Sequence, residues 1–215
     1  MWLNNSQRAR LLLRHLLLQP QYLPSYLAHL PRWGRSPLDL GLPLWPYAAI
    51  SRCARLLRPD SRVFEFGTGG STVFLARRAA TVESVEDSAA WHQAVTTRLA
   101  QLGLAHATVL QRDLPASDPT HPHWPAYLAP LHGQYDLIVI DGQDNTDLRF
   151  GESGHLRTHC FFHSENFIRP GGVIVVDDSW RYPALRSASK ARRVETLASV
   201  GPCRYGVTTA DFYYY

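Results

Sequence analysis

Two acids placed around a run of glycines are the residues of this chain best suited to chemistry. Glu65 stands two places before Gly67 in Glu65-Phe66-Gly67-Thr68-Gly69-Gly70, and Ser71 and Thr72 come next. Gly67, Gly69 and Gly70 allow a turn that reaches positive φ and brings its backbone against a ligand with no Cβ in the way. Ser71 and Thr72 then supply caps for a helix whose first N–H groups are free for an anion. A loop built only to cradle phosphate has no use for a carboxylate at its edge, whereas a cationic ligand gives Glu65 a purpose. About twenty residues on, Glu86 ends a second strand-like run, the position where a doubly wound sheet reads ribose hydroxyls. The pair points to a nucleoside ligand whose reactive part is positive.

Four more acids fall where strands should end. The stretches Val63–Phe66, Thr81–Val85, Thr108–Gln111, Tyr135–Ile140 and Val173–Val176 read as strands, and Asp113, Asp141, Asp177 and Asp178 come after the third, fourth and fifth of them. Helical stretches are expected between them, at Thr72–Ala79, Ser88–Leu102 with Gly103 as its stop, and Arg157–Ile168. Leu114–Pro130, with His121, His123 and Trp124, reads as a long loop or a short helix. Lys190–Val200 reads as helical, and Cys203–Tyr215 as an antiparallel pair interrupted at Gly206-Val207-Thr208-Thr209. Strands alternating with helices imply an α/β fold, a doubly wound, mostly parallel seven-stranded sheet with ligands at the carboxyl ends of its strands. One crevice could thus gather six carboxylates.

Upstream, Ser6–Leu18 has leucines at helical spacing with basic residues between them, and prolines at 20, 24, 31, 37, 43 and 46 cut the next segment into short pieces. Residues 1–60 read as an N-terminal helical cap and 61–215 as the ligand-binding domain. Pro46 opens a helix over Tyr47–Leu57. His155, His159 and His163 recur every four residues, a spacing that aligns them on a helix face, but no HExxH-type carboxylate accompanies them.

The 215 residues suffice for one α/β domain with a good core. The net charge of +4 comes almost wholly from arginine, since Lys190 is the only lysine, and the arginines are scattered as on a solvated surface. Cys53, Cys160 and Cys203 are odd in number and widely spaced, which argues against a disulfide framework or a thiolate zinc site and fits a reducing compartment. No apolar run reaches the roughly 18 to 20 residues of a membrane span, and Arg14 and His15 interrupt the one stretch that imitates a signal peptide. A cytoplasmic protein is expected.

At Glu65, Gly67, Gly69 and Glu86 the chain resembles the class I S-adenosylmethionine-dependent methyltransferases. The resemblance extends over roughly residues 61 to 180, through Asp136–Gly142 as the fourth strand and Arg169–Asp178 as a Pro-Gly-Gly turn entering the fifth. It implies a Rossmann-like fold that binds S-adenosylmethionine. Glu65, Gly67, Thr68, Gly69, Gly70 and Ser71 would hold the methionine portion, Glu86 the ribose and Asp113 the adenine, with Asp141 bordering the cofactor. Asp141 and Asp177 become the catalytic candidates, and Trp180 and Tyr182 candidates for flooring a small-molecule acceptor methylated at a hydroxyl oxygen. In metal-dependent members an acid after strand four and an acid-Asn pair after strand five hold a divalent cation. Here Asp141, Asp177 and Asp178 would hold magnesium or manganese, with Asp178 replacing the asparagine. The alternatives are a non-catalytic binding or scaffold protein of the same fold, a nicotinamide dehydrogenase, which lacks support because position 72 is not glycine, and a nucleic-acid methylase, which the basic charge alone favours. Oligomeric state is left open, with a homo-oligomer allowed.

Overall fold

The computed structural model describes residues 4–32, 34–114, 123–143 and 156–215. Its strands are β1 (Arg62–Phe66), β2 (Thr81–Glu86), β3 (Ala107–Gln111), β4 (Tyr135–Ile140), β5 (Ile168–Asp177), β6 (Arg193–Val200) and β7 (Val207–Tyr214). Helices α1 (Asn5–Leu18), α2 (Leu23–His29), α3 (Pro37–Leu40) and α4 (Tyr47–Leu56) precede the sheet. Within it lie α5 (Gly70–Ala76), α6 (Ala89–Gln101), α7 (His123–Leu128), α8 (Leu156–Ser164) and α9 (Leu185–Ala188). The strands form one sheet in the order β3-β2-β1-β4-β5-β7-β6. Neighbours are parallel from β3 to β5, and β7 runs antiparallel to both β5 and β6. The order reverses between β1 and β4, which opens a crevice at their carboxyl ends.

The central strands are predominantly apolar because both faces of a parallel sheet are covered. Alternate residues serve opposite cores. Val63, Val139 and Val175 join Trp45, Cys53, Leu75, Val95 and Phe212 on one face. Phe64, Ile138 and Val176 join Tyr127, Phe161 and Tyr213 on the other. The N-terminal segment shares this packing, since Trp45, Ala49 and Cys53 are completely buried in the first core. Leu12 of α1 packs with Tyr26, Tyr47 and Val200.

Two sequence expectations need correction. Residues 193–200 form strand β6, whereas Lys190–Val200 reads as a helix by its Ala, Leu and Glu content. Pairing with β7 from Arg193↔Tyr214 to Val200↔Val207 overrides that weak propensity. Residues 203–215 are not a hairpin by themselves. Val207–Tyr214 is one continuous strand, and the turn lies before it, where Cys203 and Gly206 adopt φ of 52° and 125°. Strand β5 also begins earlier than Val173, and a register shift between Tyr135 and Leu137 accommodates the Pro170-Gly171-Gly172 segment. Of the Leu114–Pro130 stretch, the short helix α7 is present from His123, and His121 lies outside the described residues. No helix among the described residues is long and apolar enough to cross a membrane.

Phe212 has no exposed surface and sits between the sheet and the N-terminal segment. Phe212→Ala is expected to lower stability by about 3–5 kcal/mol through lost burial and a residual cavity. A denaturation midpoint within error of wild type would contradict this packing.

Candidate active site

The glycine turn after β1 is tight because two other pieces of backbone press on it. Gly67 has φ of 84°, and a Cβ there would lie 2.4 Å from the Gly142 Cα in the turn after β4. A Cβ on Gly70 would lie 2.2 Å from the carbonyl oxygens of Pro37 and Leu42 in the N-terminal segment. The turns after β1 and β4 are pinned by Gly67 N–H to the Val85 carbonyl (2.9 Å) and Asp141 N–H to the Phe66 carbonyl (2.9 Å).

Glu65 is completely buried beneath the turn. Its Oε2 accepts from the Thr72 hydroxyl (2.6 Å) and the Ser84 hydroxyl (3.1 Å), and the Thr72 oxygen in turn accepts from the Gly69 N–H (3.0 Å). Its Oε1 is buried without a partner. Burial pushes the carboxyl up to about 8 against the pull of the Ser71, Thr72 and Ser84 hydroxyls, and the charge of Asp141 adds to the rise. Glu86, at the end of β2, accepts from the Thr68 hydroxyl (2.6 Å) and from the Ser88 N–H (3.0 Å). Burial raises its pKa as well. Asp113 is exposed beyond β3 and accepts from the Gln111 amide (2.6 Å).

After β4 and β5 the chemistry is organised by a residue that sequence reasoning missed. Arg157, on α8, donates to the backbone carbonyls of Gly142 (2.8 Å), Asp177 (3.0 Å) and Asp141 (3.3 Å), and to Asp141 Oδ1 (3.3 Å). Asp141 Oδ2 accepts from the Trp45 indole N–H (2.8 Å). Asp177 is buried with its Oδ1 unpartnered. Burial, then the charges of Asp141 and Asp178, lift its pKa well above the usual carboxylate range. Burial also raises Asp141, opposed by Arg157 and the Trp45 N–H. For Asp178 burial pushes upward too, but Arg204, the Thr208 hydroxyl and Arg157 outweigh it and hold the carboxyl below its ordinary value. Asp178 itself is held in left-handed backbone, with φ of 49°. The crevice thus pushes the proton affinities of two adjacent carboxyls apart, Asp177 upward and Asp178 downward, the kind of arrangement found where carboxylates take different roles.

No protein-family model matches the chain, and no curated protein matches it. Solved structures do. An O-methyltransferase from Bacillus cereus, in complex with SAH, superposes with a TM-score of 0.58 at 18% identity over 77% of each chain. A candidate O-methyltransferase from Klebsiella pneumoniae gives 0.57 at 18% identity, over 96% of this chain and 98% of that one. An rRNA methylase from Streptococcus thermophilus gives 0.51 at 12% identity, over 77% of this chain and 93% of that one. The fold is that of the class I methyltransferases. In this methyltransferase fold the switch point between β1 and β4 is where Gly67, Glu86 and Asp141 converge.

The methyltransferase fold does not make every candidate residue line the crevice. Tyr182 is buried among the core residues of the second face. Trp180 is 44% exposed. The cation set does not fit either. Both Asp141 oxygens are bonded to Trp45 and Arg157, and Asp178 Oδ1 accepts from the Thr208 hydroxyl (2.6 Å) with Arg204 at 3.5 Å. Among the described residues no three His, Cys, Asp or Glu side chains are placed to hold a metal ion, and the guanidinium of Arg157 stands where a divalent cation would be repelled. His155 lies outside the described residues. His159 and His163 lie on α8, where burial lowers both, and His163 packs against Phe167 at 5.0 Å between ring centroids.

Besides Arg157, Trp45, Trp91 and Tyr127 escaped sequence reasoning. Trp91 donates from its indole to the Thr68 carbonyl (2.7 Å) and so fixes the glycine turn from α6. Tyr127, completely buried, carries a hydroxyl without a partner next to Gly142. An aromatic residue far away in the chain gives no local pattern from which such contacts can be read.

The folded chain keeps the Glu65 proton to about 8, while the unfolded chain releases it near 4.5. Across that window the folded state binds the extra proton, so this group makes stability fall as pH rises. Glu65→Gln removes the titration, and its stability relative to wild type is expected to improve from pH 5 to about pH 8. Denaturation at both pH values checks this, and a constant difference between the two proteins would refute the buried acid's role.

Proposed function

We propose that the protein is a methyltransferase that uses S-adenosylmethionine to methylate a small molecule, at a hydroxyl oxygen. The observation that supports it most is the pairing of Glu65 and Glu86 beneath and beside one glycine turn at the switch point, with a buried Glu65 oxygen lacking a partner. Bound there, S-adenosylmethionine supplies an electrophilic methyl group on a sulfonium. Thr68, Gly69, Gly70 and Ser71 with Gly67 hold the methionine portion, Glu86 accepts from the ribose hydroxyls, and Asp113 lies towards the base. Similar structures include both O-methyltransferases and an rRNA methylase, so the fold alone does not choose the acceptor.

In this reading Asp177 accepts the proton of the acceptor hydroxyl. It has an unengaged oxygen and a raised pKa, which brings a carboxylate nearer the proton affinity that general-base work needs. Asp141, fixed by Trp45 and Arg157, positions the acceptor and keeps negative charge beside the cationic donor. The rest of the work is alignment of donor and acceptor in line. No step runs through a metal.

Calorimetry with S-adenosylmethionine tests the first part. Glu86→Ala is expected to weaken binding by about 1–3 kcal/mol as its charge-assisted bonds are lost, and an unchanged affinity would remove Glu86 from the cofactor site. For catalysis, Asp177→Asn is expected to bind cofactor normally but to turn over at least about a hundredfold more slowly, the usual weight of a general base. Mass gain of one methyl on a panel of hydroxylated compounds, in excess chelator, provides the assay. A wild-type rate in Asp177→Asn removes it from the reaction.

A further inference from the structure

A cleft of about 620 Å³ lies beside the carboxylates, walled by α1, the 3-10 turn Ser179–Arg181 and the β6–β7 hairpin. Its volume is in the range of small-molecule sites. Arg8, Arg181 and Arg204 line it against a single acid, Asp178, and Leu11, Trp180 and Val207 give it apolar walls. Arg8, Leu11 and His15 stand at i, i+3 and i+7, so one face of α1 looks into the cleft while Leu12 anchors the helix in the core beside it. The Arg181 guanidinium lies over the Trp180 ring, 5.2 Å from its centroid. Arg204 meets Asp178 only at 3.5 Å through one nitrogen, which leaves most of its five N–H donors for other partners. Arg8 makes no ion pair among the described residues. Asp178 and Thr208, hydrogen-bonded to each other, are part of the cleft lining, and Asp178 directly follows the proposed base Asp177.

We propose that this cleft is the acceptor pocket and that it selects an acceptor carrying an anionic group on an apolar, ring-sized body, with Arg8 and Arg204 binding the anion. The inference rests on the methyl-transfer reading for the word acceptor, but its charge selection stands on the cleft alone. Planar guanidinium forks suit carboxylate and phosphate equally, since both offer paired oxygens. A neutral ligand of the same shape would leave the arginines desolvated without a partner, and the cleft rejects it for that reason.

The test uses the full chain and calorimetry with para-hydroxybenzoate, para-hydroxybenzamide and para-hydroxybenzyl phosphate, each measured with the demethylated product of the donor present and absent. The two anions are expected to bind about tenfold or more tightly than the amide, the discrimination of one charge-assisted hydrogen bond. Preference for the phosphate alone, or for both anions, supports the site and separates the two sources of charge. Arg8→Glu is expected to erase the preference while donor binding stays as in the wild type, and Arg204→Gln is expected to reduce it. Equal affinity for all three ligands, no binding by any of them, or a preference that survives both substitutions overturns the proposal. Donor binding is read separately on the same samples. If it fails while the anion preference remains, the methyl-transfer reading falls and the cleft remains an anion site.

Discussion

The site depends on one guanidinium. Strands β4 and β5 end side by side with three carboxyl groups and several backbone carbonyls pointing into a crevice, and such an assembly of partial and full negative charge is unfavourable without a counter-charge. Arg157 supplies it from α8, bonding the carbonyls of Asp141, Gly142 and Asp177 and one oxygen of Asp141 at once. The acids around it raise its own pKa beyond the ordinary arginine value in spite of its burial. A buried guanidinium is costly unless every neighbour is a good acceptor, and here the acceptors are backbone groups that cannot move away. The positions of Asp141 and Asp177 are set by that geometry.

A second layer of support comes from opposite ends of the chain. Trp45 reaches Asp141 from the N-terminal segment, and its carbonyl oxygen would lie 2.6 Å from a Cβ on Gly201, in the turn between β6 and β7. Ser179 donates to the buried Asp211 on β7 (2.9 Å), which Arg186 also pairs with at 2.7 Å. The loop after β5 is therefore held by β7 and α9, and the turn after β4 by the indole. Such cross-chain fixing suits a reaction whose main requirement is alignment.

The parallel half of the sheet was legible because its physics is local. Leu137–Ile140 and Val173–Val176 are buried on both faces and so are apolar without interruption, Val63–Phe66 is interrupted only by the buried Glu65, and the glycines and acids at their ends keep fixed spacing. The antiparallel half was not. Residues 193–200 carry no strong strand preference and become β6 only because Val207–Tyr214 lies beside them. In the site, Glu65 and Glu86 could be found from position along a strand, whereas Arg157, Trp45 and Trp91 act through contacts made by the tertiary fold, which no spacing encodes. The glycine turn was found for a partial reason. Its glycines were credited to a ligand's approach, but Gly67 and Gly70 are already required by the protein's own backbone at Gly142, Pro37 and Leu42.

The strand order has a consequence for how the chain comes off the ribosome. β7, the last strand in chain order, inserts between β5 and β6. A chain that has emerged only through β6 therefore carries the Val173–Val176 edge with its N–H and C=O groups unpaired and its side chains ready to join another sheet. β6 does not cover that edge, because its partner among the described residues is the missing strand. The interval between synthesis of β5 and arrival of β7 is thus the period when neighbouring nascent chains can pair with one another, and it ends in the same event that brings Asp211 beneath Ser179 and closes the loop around the site.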